Sequence, residues 1–341
     1  MGQKEITSTV PVLTDTGVPC NFGWARHPYF IYEPVLNIAP RRSVFESERY
    51  IMVSPTHMII AEIFDNGYLG YVGVTLVSLR DRERFTQKWV TPFPLNRFEL
   101  PKSSEEGNVR VQEKNFLFNF VIMEKGVRIV KIDIPRFSSR RSLRGELVLT
   151  PPLSAEPLVT NMHWKEKYSF RCSRRSPYYL AEGVLLHGTG EIVFSGGNSW
   201  GIYEWNRGVR PREDIRFWAS GSGRSGGRQA GFSAGYDSTD SSYCTENAFF
   251  LDGAVHKLDQ VTFQISPSNW LLPWRFTSND SRLEMVFTPN QERTENYQMF
   301  FHSFKRRQVF GSFSGKVILD DKSEFEFQNI AGIAERRKTR F

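Results

Sequence analysis

A chain of 341 residues, 40% hydrophobic and 14% aromatic with 28 Phe, can close a sizeable core and is excluded from the disordered class. The net charge of +7 invites anionic partners, but no recognition-helix pattern, zinc-finger spacing or RNA-binding aromatic signature accompanies it, so nucleic acid is set aside. No apolar run reaches the roughly 18 residues of a membrane-spanning helix, and three widely spaced cysteines (Cys20, Cys172, Cys244) suit reduced thiols in a cytoplasmic protein better than disulfides or zinc.

The opening MGQKEITSTV has no apolar region, so no secretory signal is expected, and Ile6 breaks the myristoylation pattern. GVPCNFGWARHPYFIYEP then reads as an extended, aromatic lead-in. Strand-like runs follow. Met58 to Phe64 meets Tyr68 to Leu79 across Asp65-Asn66-Gly67, and Asn115 to Met123 meets Val127 to Ile134 across Glu124-Lys125-Gly126. β-Branched and aromatic runs joined by short glycine-bearing turns are hairpins. Between them Arg80 to Trp89 is the best helix candidate, short and weakly amphipathic. Glu146 to Thr150 closes the first half before Pro151-Pro152.

Beyond that breaker the pattern continues in kind. Strands are expected at Glu191 to Phe194, Trp200 to Asn206, Ile215 to Ser220, Gln229 to Tyr236 and Asn247 to Leu251. Further ones are expected at Ala254 to Leu258, Val261 to Ile265, Arg275 to Thr277, Leu283 to Phe287, Val309 to Phe313, Lys316 to Leu319 and Glu324 to Phe327. Many short strands at regular spacing mean an all-β sandwich or barrel. Residues 1–150 and 151–341 are therefore read as two antiparallel β-barrel or sandwich halves packed together. The arginine clusters at Arg140–Arg141, Arg174–Arg175, Arg306–Arg307 and in the terminal ERRKTR are read as solvated loops between strands.

The chemistry is densest from Gly201 to Leu258. With period two, Tyr203, Trp205 and Arg207 share one strand face, and Arg216 and Trp218 share another further on. Faces that mix Trp with Arg suit a cavity lining, where rings supply contact area and a few polar groups fix orientation. For Arg207 a structural ion pair closing a barrel end stands beside the ligand-binding reading. Glu246 opens the run ENAFFL, and a carboxyl walled by aromatics can be held protonated as a general acid. Asp237 and Asp240 read as loop acids that bond their own turn. Glu204 either pairs with another strand or is solvated. Gly221-Ser222-Gly223-Arg224-Ser225-Gly226 matches a dinucleotide fingerprint, but no helix follows to hold a pyrophosphate, so a hairpin loop is preferred and no cofactor is implied. The six histidines have no consistent partner, and no metal site is expected. Trp270, Pro273 and Trp274 form a corner, either core or lid.

Several segments together, EWNRGVRP (Glu204 to Pro211), FWASGSG (Phe217 to Gly223), TENAFFLDGAVHKL (Thr245 to Leu258), PWRF (Pro273 to Phe276), VFGSFSG (Val309 to Gly315) and GVPCNFGWAR (Gly17 to Arg26), resemble the signature of domain-of-unknown-function family 2804. Arg210 and Arg212 depart from it by standing where aromatic residues are expected, which makes the pocket rim more basic. The family is distantly similar to carotenoid hydratases, tocopherol cyclases, fungal decalin-forming cyclases and AttH-like proteins. That likeness implies two lipocalin-like, calycin-type halves and a capacity for apolar ligands.

The resulting expectation is a hydrophobic or amphipathic small-molecule ligand, isoprenoid- or polyketide-like, held by Tyr203, Trp205, Arg207, Trp218, Asn247 and Trp274. If turnover occurs, it is acid-assisted cyclisation, hydration or isomerisation with Glu246 as proton donor. The alternatives are a lipid carrier or scaffold whose basic exterior and tail meet an anionic membrane surface, and a carbohydrate-binding protein with an open groove.

Overall fold

Turn chemistry and β-branched runs satisfy the backbone N–H and C=O groups by antiparallel pairing between the described strands, except in one short parallel pair in the lead-in. The computed structural model describes residues 3–33, 43–94, 97–113, 116–299 and 302–340. The lead-in contributes three short strands, β1 (Val10–Pro11), β2 (Gly23–Ala25) and β3 (Phe30–Ile31). A meander follows of β4 (Val44–Val53), β5 (His57–Asp65), β6 (Leu69–Ser78) and β7 (Arg84–Pro92), then β8 (Val109–Glu113), β9 (Phe116–Ile122), β10 (Arg128–Ser138) and β11 (Arg141–Thr150). Next come β12 (Leu158–His163), β13 (Phe170–His187), β14 (Gly190–Phe194) and β15 (Trp200–Val209). The rest of the chain forms β16 (Glu213–Ser225), β17 (Arg228–Tyr236), β18 (Ala248–Leu251), β19 (Ala254–Lys257) and β20 (Val261–Gln264), with β21 (Trp274–Ser278), β22 (Leu283–Met299), β23 (His302–Ile318) and β24 (Glu324–Arg340). No α-helix occurs among the described residues.

The strands make two large sheets. The first runs β7-β6-β5-β4-β15-β13-β11-β10-β9-β8, with β12, β14 and β2 attached alongside, and it curls until β7 meets β10. The second runs β19-β18-β17-β16-β24-β23-β22-β21-β20, and its β17 approaches β20. The protein is thus all-β, with two curled halves of the calycin kind. The change of sheet falls between Val209 and Glu213, so β12 to β15 pair with the first sheet and the breaker at Pro151-Pro152 is not where the sheets divide.

Both expected hairpins form, with β5 paired to β6 and β9 to β10; Asn115, where the second was expected to begin, lies outside the described residues. The helix expected over Arg80 to Trp89 does not: a turn precedes β7, which pairs with β6. Phe85 and Trp89, four apart, both pack on the first core. That spacing fits one helix face and one strand face equally, and the free edge of β6 decides for the strand. The glycine-rich run Gly221 to Ser225 lies within β16, and only Gly226 and Gly227 form the hairpin turn to β17.

Each sheet curls around a core, the first of which also takes in Ala248, Phe250 and Val255 from β18 and β19 of the second sheet. The two sheets meet again through a third, smaller cluster. There Ile51, Val53, Met58, Ile60, Val77 and Ile202 of the first sheet pack on Trp218, Phe310 and Ile333 of the second. Strand β15 shows why. Tyr203 and Trp205 turn into the first core, while Ile202, Glu204 and Asn206 face the second sheet. The sheets approach closely at Gly231 of β17, where a Cβ would lie 2.0 Å from the carbonyl oxygen of Pro177 at the bulge of β13. Only a residue without a side chain permits that approach.

Candidate functional site

Beside the apolar patch, the faces of the two sheets meet through charged groups. Alternation on β13 sets Arg171, Ser173 and Arg175 on one face, toward Arg216 of β16 and Glu246 just before β18. Glu246 Oε1 accepts from Ser173 Oγ at 2.8 Å and Arg175 Nη2 at 2.7 Å; Oε2 meets Arg171 Nη2 at 3.2 Å and Arg216 Nη2. Its side chain is 3% exposed. Burial alone would raise this carboxyl, but Arg171, Arg175 and Arg216 outweigh burial and hold it far below the usual carboxylate range. The expectation of a protonated Glu246 walled by aromatics is therefore corrected: its wall is guanidinium, and it is an anion.

Arg171 is gripped at both ends. Its Nη1 donates to Asp237 Oδ2 at 2.6 Å while Nη2 faces Glu246. Asp237 also accepts from the Thr239 backbone at 2.9 Å and its hydroxyl at 2.6 Å. The turn chemistry read for Asp237 is real, yet the same carboxylate is also a buried ion-pair partner. Asp240 stays in loop chemistry, accepting from Ser242 N at 2.9 Å, with His163 at 3.5 Å.

A cavity of about 370 Å³ opens over this cluster. Tyr236, Val261 and Phe263 give it an apolar wall, and Arg171, Asp237 and Glu246 its charged floor. Asn247 also lines it, but its amide braces the wall: Oδ1 accepts from Gly235 N at 2.7 Å and Nδ2 donates to Asp259 O at 2.7 Å.

The other expected ligand residues are dispersed. Tyr203 is fully buried against Tyr50, with Arg128 3.8 Å from its ring centroid. Trp205 sits in the first core and lines a separate cavity of about 450 Å³ with Tyr32 and Cys172. Arg207 takes the ion-pair reading: it donates to Glu48 at 2.9 Å, Pro101 O at 2.6 Å and Ser47 O at 3.0 Å. Trp218 lies between the sheets with Arg49 4.4 Å from its ring centroid. Trp274 belongs to the second core, its indole N–H bonded to Trp270 O at 2.9 Å, so that corner is core rather than lid. Of the seven residues, Glu246 and Asn247 share a pocket and the other five line the cores and the inter-sheet contact.

Sequence reasoning missed Arg171, Arg175 and Arg216 as partners of Glu246. Arg174–Arg175 and Arg306 were expected in solvated loops but lie on strands and are 5%, 1% and 4% exposed. The available signal was the period-two spacing Arg171-x-Ser173-x-Arg175, which marks one strand face. Arg140 and Arg141 are exposed, as read. The terminal ERRKTR forms the end of β24 between β16 and β23. Glu204 takes its pairing option, bonded to Arg49 Nε at 2.7 Å. Arg210 reaches Asn66 Oδ1 at 2.7 Å, whereas Arg212 is exposed.

Two curled antiparallel sheets meeting through an arginine–carboxylate network define a two-barrel, calycin-like protein. The chain belongs to the family described as domain of unknown function DUF2804, which matches residues 3–341. No curated protein matches it. Among solved structures it is similar to CghA with Sch210972, at TM-score 0.55 and 8% identity over 88% of this chain and 89% of that one. It is also similar to an AttH-like protein from Nitrosomonas europaea (TM-score 0.49, 11% identity, 89% and 94% covered). Kievitone hydratase from Nectria haematococca gives TM-score 0.48 at 12% identity, with 86% and 88% covered. At such identities the likeness to CghA is one of fold.

Proposed function

We propose that the protein binds an amphipathic small molecule in the cavity above Glu246. The ligand's apolar body lies against Tyr236, Val261 and Phe263, and its carbonyl or carboxylate meets Arg171. One observation carries this reading: an arginine fixed by two buried carboxylates forms the floor of a half-apolar cavity of about 370 Å³. That size falls within the range of roughly 300–1,000 Å³ usual for small-molecule sites. Holding Arg171 rigid removes the entropy it would otherwise lose on meeting a ligand. The fold also supports the reading, since CghA was solved with the compound Sch210972.

In a hydratase- or cyclase-like reaction, Glu246 is the positioning group for Arg171 and not the proton donor. A guanidinium beside a carbonyl stabilises negative charge as it develops on oxygen, and the apolar wall folds the substrate over it. Tyr236, 44% exposed on the wall, is the neutral O–H donor, its phenol raised further by partial burial.

The test begins with native mass spectrometry of protein purified from its own host, followed by extraction of bound material. A co-purifying apolar metabolite is expected, and Thr262→Trp, at the exposed cavity rim, should release it while leaving the thermal unfolding midpoint within about 2 °C. A bare apo mass, with no midpoint shift from isoprenoid, fatty-acid or polyketide ligands, would end this proposal.

A further inference from the structure

A second cleft lies between the sheets, where the register sets three like charges abreast. Arg216 of β16 stands opposite Arg337 of β24, and Arg337 stands opposite Arg306 of β23. All three line a cleft of about 60 Å³ toward the first sheet. Like charges directly opposite on paired strands repel, so each needs a counter-charge. The outer two have one. Arg216 meets Glu246, and Arg306 meets Glu62 at 2.6 and 2.7 Å and Glu295 at 2.8 Å. The middle one is matched only at longer range: among the described residues no carboxylate forms a close ion pair with Arg337, its Nε has no hydrogen-bond partner, and its counter-charges Glu335 and Asp214 are shared with other arginines.

The acids around the cleft are otherwise engaged. Glu48 is bonded to Arg207 at 2.9 Å, Glu204 to Arg49 at 2.5 Å, and Glu335 to Arg49 and Gln308, each at 2.9 Å. Asp214 remains, held by Ser238 Oγ at 3.3 Å; burial and nearby Asp237 push its carboxyl up against the pull of Arg337, Arg171 and Arg216, so one carboxyl is shared among three arginines. Burial and Arg216 pull Arg337 down, and burial brings Arg210, on the same cleft, to about 10. Burial is the larger cause in both, although each side chain keeps some exposure.

We propose that this cleft is a site for a small free oxyanion, a carboxylate or inorganic phosphate, taken by Arg337 with Arg210 and Arg216 as neighbouring donors. Planar guanidiniums match both anions in shape and charge. The cleft is too small for an apolar tail, which separates this site from the cavity above Glu246. An anion here neutralises the arginine row and ties the two sheets together, so it acts on stability.

The experiment is thermal unfolding of the full chain in phosphate, in acetate and in chloride at equal ionic strength, with calorimetric titration of phosphate and acetate into the wild type. Phosphate or acetate is expected to raise the midpoint by a few degrees above chloride, saturably, and whichever does so identifies the anion. Arg337→Gln should abolish that increment and, in chloride, unfold no lower than the wild type, because the like-charge contact is gone. Midpoints in phosphate and acetate that only match chloride, together with blank titrations, would overturn the proposal, as would an increment that survives in Arg337→Gln. The titrations use the wild type, so the outcome stands even if the variant does not fold.

Discussion

Glu246 shows how far a single residue's role depends on what surrounds it. Its run ENAFFL announces an apolar environment, and Phe249, Phe250 and Leu251 are indeed buried. Yet the groups touching the carboxylate arrive from β13 and β16, 71 and 30 positions away in the chain for Arg175 and Arg216. Removing one partner of a buried ionic network leaves the others unpaired, at about 3–5 kcal/mol. Glu246→Gln is therefore expected to destabilise the fold by that order in urea unfolding, because three arginines lose one shared anion. A loss below ~1 kcal/mol would show that the arginines are compensated elsewhere. Arg207 carries the same lesson: its place beside Trp205 was legible, but its partners Glu48 and Pro101 were not.

Among the elements, β24 departs most from its sequence appearance. Glu324 to Phe327 announces a strand, while the run ERRKTR from Glu335 looks like a basic tail. In the structure Glu335 pairs across to Trp218 on one side and Gln308 on the other. It also binds Arg49 of the first sheet. Deleting residues 335–341 would strip interior pairing from both β16 and β23 and leave Arg49 short of a carboxylate. The truncated chain is expected to be insoluble or to elute as aggregate in size-exclusion chromatography, before any membrane affinity can be measured. Monomeric elution with an unchanged midpoint would refute this. Strand β13 was harder still to see, since its buried SRRS reads as loop by composition and becomes strand by pairing with β11, β12 and β15.

At the scale of the whole molecule, the two halves are held by an apolar patch and a network of buried charges. Such networks give up much of their Coulomb energy to desolvation, so they specify how two surfaces dock more than they stabilise the docked state. They also make the fold acid-sensitive. Burial raises Glu295 and Glu335, but Arg306 and Arg293 bring the first to about 2, and Arg49 and Arg306 bring the second to about 2; Glu246 lies lower still. In the unfolded chain each titrates near 4.3. Folded values below unfolded ones mean stabilisation that is complete above about pH 5 and lost as pH falls toward 2. The urea midpoint should drop steeply below about pH 5. A midpoint unchanged down to about pH 3 would mean these carboxylates are not paired in solution.

What the sequence determined by itself was local: strands from period-two alternation, hairpins from turns such as Asp65-Asn66-Gly67, and the absence of a dinucleotide fold where no helix follows Gly226. These depend on neighbours in the chain, so a single sequence suffices. Tertiary structure alone decided that β12 to β15 join the first sheet, that Arg84 to Trp89 becomes part of strand β7 on the edge of β6, and that Arg171, Arg175 and Arg216 converge on Glu246. Each of those depends on which distant surface supplies the pairing edge or counter-charge. A buried arginine and a solvated one have the same letter in the sequence, and only the fold places the carboxylate that separates them.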